Sequence, residues 1–355
     1  MACGYIAFKE LVIPIGKYYA YEIDKYAVQT SSYNFPDIVH KGNVFNADFS
    51  QYKNIDWLIG GSPCTYWSIA QKSSTRETEA SGIGWELFSQ YVKALKEASP
   101  KYFIYENNKS MSNRIKESIS ATFGFEPICI NSALLSAQNR QRLYWVGRRN
   151  PDGTYSQVPV EQPEDRGILL RDILESGVCL TEKSYTLKAQ YYKNGMANFV
   201  TNGVTEPVRI GTIENGAKNP SHDSKQYRVY SPYGKSVTLC GSGGGAGAKT
   251  GLYAIPVEYK GEEPTKAISN TTGQTYTVYN VTNGEITIKD RKYPIKLKDG
   301  YYIIRKLTVN ECKRLQTVPE WYEFPVSDTQ AYKMLGNGWT VDVIKHLIKA
   351  VQKEV

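Results

Sequence analysis

Between Lys17 and Leu143 short apolar runs alternate with longer segments of helical period, and this constrains the fold more than any other feature of the chain. Such an alternation reads as repeated strand–helix units, which pair their strands in a largely parallel sheet. The expected strands are residues 18–23, 56–59, 102–105 and 143–146. Between the second and third, Leu87, Phe88, Tyr91 and Leu95 recur at helical spacing and predict an amphipathic helix packed on the sheet.

After Arg149 the composition shifts to Gly, Asn, Thr, Tyr and Lys, with turn pairs at Asn194-Gly195, Asn202-Gly203 and Asn283-Gly284, which predicts a β-rich, irregular half. The Gly-rich run 240–249 taken alone reads as a linker. Helical patterning returns from Thr308 and again over 340–351, as though the C-terminus rejoins the first domain. No internal repeat is visible. The 355 residues leave room for roughly two domains.

Composition excludes several classes. At 41% hydrophobic and 22% charged residues the chain is ordinary for a globular protein, and no apolar run is long enough to span a membrane. The net charge of +8 permits a polyanionic partner. Six scattered cysteines and three histidines offer neither a zinc cluster nor a disulfide framework, which suggests a reduced, cytosolic protein. Residues 1–4 carry no secretory signal pattern.

In open parallel sheets ligands sit beyond the carboxyl ends of the strands. Here those ends carry Glu22, Gly-Gly-Ser-Pro-Cys at 60–64, Glu-Asn-Asn at 106–108 and, leading into the fourth strand, Gln-Asn-Arg-Gln-Arg at 138–142. Glu22 suits ribose hydroxyls, although such acids are as often simply solvated. Cys64 reads either as a tunable exposed thiol or as a small buried hydrophobe; Pro63 favours the first, because it rigidifies the approach and aims the next residue. Glu106 is a carboxyl group able to donate a proton from a partly dry pocket. Arg140 and Arg142, two apart, project to one face of an extended segment and call for a carboxylate with a pyrimidine carbonyl, or for a phosphate, between them. A cysteine, an acid and a guanidinium pair at adjacent strand ends together describe one reaction. A thiolate adds to carbon 6 of a cytosine while an acid protonates ring nitrogen 3, and carbon 5 then attacks an electrophilic methyl group. The base must first leave the stack.

The order and spacing of these segments resemble the cytosine carbon-5 DNA methyltransferases of bacterial and phage type. Residues 60–64 resemble the family's Pro-Cys motif, 106–108 its Glu-Asn-Val and 138–142 its Gln-x-Arg-x-Arg. Residues 305–316 resemble its Arg-x-Leu-Thr-x-x-Glu-x-x-Arg-Leu-Gln helix, and 332–338 its Gly-Asn motif. Residues 227–245 resemble its target recognition region, where the glycines would let backbone approach a DNA groove.

The resemblance implies an α/β fold, with a Rossmann-like S-adenosylmethionine-dependent methyltransferase sheet and a smaller, β-rich target recognition domain. Residues 1–165 would form the catalytic domain and 166–304 the target recognition domain, with short strands inserted at about 257–300. Residues 305–355 would return to complete the catalytic domain. It implies Cys64 as nucleophile, Glu106 at ring nitrogen 3, Arg142 on Glu106 and the base carbonyl, and Arg140 supporting the catalytic loop. The implied cofactor is S-adenosyl-L-methionine without a metal, bound by Cys3, Gly4, Glu22, Ile23, Asn43, Pro63, Leu87, Gly336 and Asn337; Glu22 holds the ribose, Ile23 packs on adenine and Asn337 helps seal the site. Double-stranded DNA is the implied partner, met by Ser68, Arg228, Thr238, Leu239, Gly243 and Gly244. A cytoplasmic monomer is implied too, with a separately encoded restriction endonuclease left open as a partner.

Several positions depart from the family pattern. Residues 1–8 match only the tail of its cofactor loop, without the first strand or the Phe that stacks on adenine, and Thr65, Asn108 and Asn43 replace Gln, Val and Asp. Two other readings therefore stay open: a DNA-binding relative with impaired cofactor binding or no turnover, and an RNA-directed cytosine methyltransferase.

Overall fold

The computed structural model describes residues 1–53, 55–63, 66–68, 74–175, 209–213, 228–239, 251–256, 266–268, 275–288, 290–305 and 307–353. The chain divides into two compact units. An α/β unit comprises residues 2–131, 141–163 and 341–355, and a β-rich unit comprises Met1, 132–140 and 164–340. The turn pairs at 194–195 and 202–203, the Gly-rich run 240–249 and Cys64 lie outside the described residues.

The α/β unit runs in the order α1 (Cys3–Glu10), β1 (Tyr19–Ala20), α2 (Lys25–Asn34), β2 (Val39–His40), β3 (Trp57–Gly60), α3 (Gly82–Ala98), β4 (Tyr102–Asn108), α4 (Asn113–Phe123), β5 (Ile128–Asn131), β6 (Gln141–Arg149) and β7 (Tyr155–Gln157). The helix Val341–Lys353 then returns to pack on α1. Five strands form one sheet in the order β3-β4-β6-β5, with β7 on β6, while β1 and β2 make a separate parallel pair. Within the larger sheet β3 and β4 are parallel, but β6 runs antiparallel to β4, β5 and β7. The expectation of a largely parallel sheet is thus corrected. A parallel pair needs a crossover, which α3 supplies between β3 and β4; no α-helix separates β5 from β6, so β6 runs back against its neighbours.

The helix α3 forms because Phe88, Tyr91, Leu95 and Ala98 recur every three or four residues and bury one face, with Leu87 half-buried on its flank. In α4 the Ser112 hydroxyl accepts from the Ile115 amide at 3.3 Å, and Gly124, at φ +85°, ends the helix in the left-handed conformation. Phe88, Tyr91, Phe103, Tyr105, Phe123 and Trp145 fill the space between these helices and the sheet.

In the β-rich unit, β8 (Arg209–Thr212), β9 (Arg228–Tyr230), β10 (Leu252–Pro256), β11 (Lys266–Ile268), β12 (Thr275–Thr282), β13 (Glu285–Ile288), β14 (Arg291–Pro294) and β15 (Gly300–Arg305) form a sheet of order β14-β13-β12-β15-β10-β9-β8, with β11 on β12. The described strands of the segment read as an insertion belong to this sheet: β12 pairs antiparallel with β15, and Val281, Ile286 and Tyr293 share a core with Ile210, Val229 and Tyr302. The predicted turn at Asn283-Gly284 is present, with φ of 54° and 72° joining β12 to β13. The helices Val309–Leu315 and Asp328–Asn337 follow in the same unit. No helix among the described residues is long and apolar enough to cross a membrane.

Candidate active site

Parallel pairing of β3 with β4, in which Gly60 faces Tyr105, brings Gly61, Ser62 and Pro63 alongside Glu106, Asn107 and Asn108. The approach is close enough that a Cβ on Gly61 would lie 2.5 Å from the Glu106 carbonyl oxygen and 3.1 Å from its Oε2, so only glycine fits. Glu106 Oε1 meets Arg142 Nε at 3.0 Å, with the two side chains 9% and 12% exposed. Their meeting follows from the β4–β6 register: Arg142 faces Asn108, two residues along from Glu106, which places it diagonally on the same face. A buried pair of this kind fixes the carboxyl group's orientation and keeps bulk water from it.

Beside the pair lies a polar network that the sequence did not disclose. The Ser62 and Tyr105 hydroxyls are 2.7 Å apart, and the Asn107 amide donates to Ser62 O and Oγ at 3.2 Å and to the Tyr105 hydroxyl at 3.3 Å. Burial raises the Tyr105 hydroxyl's pKa, keeping it neutral as a hydrogen-bond partner. The one sequence signal was the polar run 105–108 ending an otherwise apolar strand.

The carboxyl ends of β1 and β2 lie at one edge because the strands are parallel. Beyond them Glu22 Oε1 accepts from the amides of Ile23 and Asp24, both at 2.9 Å, and Asn43 Oδ1 accepts from Phe45 N at 3.0 Å. Among the described residues no hydrogen bond is donated to Glu22 Oε2, and Ile23 and Phe45 are 77% and 44% exposed. A carboxylate oxygen that takes no described hydrogen bond, with the exposed Ile23 next to it, offers an acceptor for the ribose diol and an apolar surface for the adenine ring of a nucleoside-bearing cofactor. His40, in β2, has its pKa lowered by burial, with Glu22 opposing. Cys3 and Gly4 open α1, where a Cβ on Gly4 would come within 3.0 Å of the Tyr18 hydroxyl. Pro63 is exposed beyond β3.

Other expected site residues fall in the β-rich unit. Arg140 is buried and donates to the carbonyls of Leu239 at 3.4 Å, Gly336 at 3.2 Å and Gly338 at 2.9 Å. Gln138 Nε2 donates to Leu315 O at 3.1 Å, and its Oε1 accepts from Leu239 N at 3.0 Å. The expectation that Arg140 and Arg142 lie side by side around one group is corrected: β6 begins at Gln141, so strand alternation does not reach Arg140, and the two guanidinium groups serve acceptors in different units. Gly336 is buried and Asn337 exposed at the end of their helix. Thr238 Oγ1 donates to Asn139 O at 2.5 Å and Leu239 is 5% exposed, so both serve this unit's interior. Arg228 opens β9 and is half-buried, as is Ser68 in the α/β unit. Gly243 and Gly244 lie outside the described residues. Among the described residues no group of three or more His, Cys, Asp or Glu side chains is placed to hold a metal ion.

The architecture is that of a Rossmann-like methyltransferase. The solved structure of the Dnmt2 methyltransferase of S. pombe superposes with a TM-score of 0.56 at 15% identity, covering 99% of this chain and 95% of that one. In sequence, the C-5 cytosine-specific DNA methylase family matches residues 5–353. The orphan methyltransferase M.SPRI of Bacillus phage SPR is 26% identical, over 92% of this chain and 90% of its own length. The type II methyltransferase M.HhaI of Haemophilus parahaemolyticus is 24% identical over 93% and 85%. The chain belongs to the C-5 cytosine-specific DNA methylase family and is a DNA cytosine-5 methyltransferase.

Proposed function

We propose that the chain methylates carbon 5 of a cytosine flipped out of double-stranded DNA, with Cys64 adding to carbon 6 and Glu106 assisting at ring nitrogen 3. The observation that carries this reading is the buried Glu106–Arg142 pair beside the Gly61–Pro63 turn leading to Cys64. Arg142 orients the Glu106 carboxyl group through Oε1, and with ring nitrogen 3 protonated by Glu106 the ring accepts the thiolate's electron pair. Once carbon 5 has taken the methyl group, water or a basic group takes the carbon-5 proton, Cys64 leaves with its electron pair as thiolate, and the proton on ring nitrogen 3 returns to Glu106, which restores the aromatic ring and the free enzyme. S-adenosyl-L-methionine, when bound, supplies the electrophilic methyl group without a metal. Glu22 would hold its ribose and Ile23 its adenine, with Cys3, Gly4, Asn43, Pro63, Leu87, Gly336 and Asn337 completing the site.

Residues 1–165 and 305–355 would make up the catalytic domain, and 166–304 the target recognition domain, in which Arg228 is the base-reading candidate. Ser68, Gly243 and Gly244 would contribute to the DNA surface, the first of them from the catalytic domain, with Thr238 and Leu239 supporting that surface from within the unit. The enzyme would act as a cytoplasmic monomer, alone or beside a separately encoded endonuclease. Cys64→Ser tests the chemistry directly: transfer of radiolabelled methyl groups should fall below detection while DNA affinity stays within about threefold, because a hydroxyl is a far weaker nucleophile than a thiol at neutral pH. Turnover comparable to the parent would sink the covalent mechanism.

A further inference from the structure

The segment from Ser62 to Trp67 is held at both ends by polar groups of the α/β unit. Upstream, the Asn107 amide grips Ser62 at its carbonyl and its hydroxyl, both at 3.2 Å. Downstream, Trp67 is fully buried; its indole N–H donates to Glu77 Oε2 at 3.1 Å, and its carbonyl accepts from Arg76 Nε at 3.2 Å. The Glu77 amide donates to Tyr66 O at 3.0 Å, and its carboxylate accepts from Gly84 N at 3.1 Å in the first turn of α3, where Ser81 provides no side-chain cap. A Cβ on Gly84 would lie 2.4 Å from the Trp67 indole nitrogen, so this corner is packed without slack.

The two ends are also joined to each other. Arg76 Nη2 donates to Ser110 O at 2.7 Å, the Ser110 hydroxyl donates to Asn108 Oδ1 at 2.6 Å, and Asn108 Nδ2 donates to Asn107 Oδ1 at 3.1 Å. With the bonds from Asn107 to Ser62 and from Arg76 to Trp67, this path closes a ring on the covalent stretch from Ser62 to Trp67.

We infer that Arg76 is a positioning residue for the methyl transfer: by bridging the carbonyls of Trp67 and Ser110 it ties Ser62 and Trp67, which flank Cys64 in sequence, to the end of β4 that carries Glu106. The inference rests on the reading of Cys64 as nucleophile. Arginine suits the task because its planar guanidinium donates from Nε and Nη2 in fixed directions to two separate oxygens, whereas a lysine ammonium on a flexible stem fixes neither. Asn108, which stands where the family has Val, and Ser110 are members of the ring, so this departure from the family pattern has a structural use.

A group that orients the nucleophile without touching the reactants changes kcat and leaves ground-state binding alone. The test compares parent, Arg76→Ala, Arg76→Lys, Ser110→Ala and Cys64→Ser. It measures steady-state methyl transfer, the rate of covalent trapping by DNA containing 5-fluorocytosine, and circular dichroism melting. Arg76→Ala should lower kcat and the trapping rate by the same factor, about 10- to 100-fold, with KM for DNA and for S-adenosylmethionine within about twofold. Arg76→Lys should not restore the rate, and Ser110→Ala should show the same pattern more weakly. A kcat within about twofold of the parent, or a raised KM for DNA at unchanged kcat as a phosphate contact would give, overturns the inference. If Arg76→Ala does not fold, Ser110→Ala decides, and an unchanged kcat there overturns it equally. Cys64→Ser separates the two readings: turnover by that variant overturns the nucleophile assignment whatever Arg76 does, whereas its inactivity beside an unaffected Arg76→Ala overturns the positioning role alone.

Discussion

Each unit holds a buried carboxylate–guanidinium pair, and the two pairs differ in what surrounds them. In the β-rich unit Arg305 donates to both oxygens of Glu311, at 2.7 and 2.6 Å, and the amides of Thr308 and Glu175 add bonds at 2.8 and 3.0 Å to a carboxylate that is 0% exposed. Residues six apart build that pair around a capping box, in which Thr308 Oγ1 accepts from Glu311 N at 3.1 Å. In the α/β unit Glu106 and Arg142 come from different strands, 36 positions apart in sequence, and meet at strand ends beside Gly61, where the close approach admits only glycine. A carboxylate held on both oxygens by Arg305 and by the amides of Thr308 and Glu175 is a fixture of the fold. One at the carboxyl end of an interior strand, next to Gly61 and Ser62, stands where α/β sheets bind their ligands.

The sharpest way to break this comparison is to remove the negative charge from each pair. Glu311→Gln should cost about 3–5 kcal/mol of stability, because it removes the carboxylate that holds the buried Arg305 through two bonds and leaves only the less direct charge of Glu175; denaturant titration measures it. Glu106→Gln should lower methyl transfer by roughly 10²- to 10⁴-fold in protein that remains folded at the assay temperature. If Glu106→Gln left the rate intact and only lowered the melting point, the pairs would be equivalent and the distinction would fail.

The sequence disclosed the pairs to different degrees. The segment 305–316 announced its helix start through Thr308 and Glu311, a local pattern that survives in any context. The apolar period over 340–351 likewise announced the returning helix, whose Val341, Ile344, Leu347, Ile348 and Val351 are buried. Glu106 and Arg142 were visible as strand-end residues, but their contact depends on the β4–β6 register, which no local pattern encodes. The strand β5, Ile128–Asn131, is not among the strands expected from the sequence. Arg140 was misplaced because the chain leaves extended alternation one residue before β6. The Ser62–Tyr105–Asn107 network was hidden for the same reason as the active pair: it exists only once Gly60 faces Tyr105.

Smaller perturbations sharpen the same contrast. Gly61→Ala should cost about 1–3 kcal/mol and lower kcat, since its Cβ meets backbone that cannot swing aside; an unchanged melting point and kcat would remove the close approach from the account. Arg228→Ala should relax base preference at one position, a discrimination of about 1–3 kcal/mol, read by bisulfite sequencing of a methylated random library. Uniformly weaker binding with a shallower salt dependence would make Arg228 a phosphate contact instead. The smallest effect concerns His40, whose pKa in the fold lies below its ordinary 6.5. As pH falls through 6.5 the unfolded chain takes up a proton before the folded one does, so this residue's effect is a loss of stability below that pH, recovered above it. Glu22→Gln removes the one charge opposing that shift and should push the His40 pKa lower still, measured by NMR titration; an upward movement would contradict the placement of Glu22 beside β2.

The central claim is that Cys64, which follows β3 in sequence, is the nucleophile that works with Glu106. Mass mapping of the covalent adduct formed on DNA containing 5-fluorocytosine in the presence of S-adenosylmethionine tests it most directly, since the fluorine at carbon 5 cannot leave as a proton and the adduct persists. The account predicts one modified peptide, linked through the sulfur of Cys64. An adduct on another residue, or methyl transfer to ordinary cytosine without any trapped adduct on the fluorinated base, would contradict it.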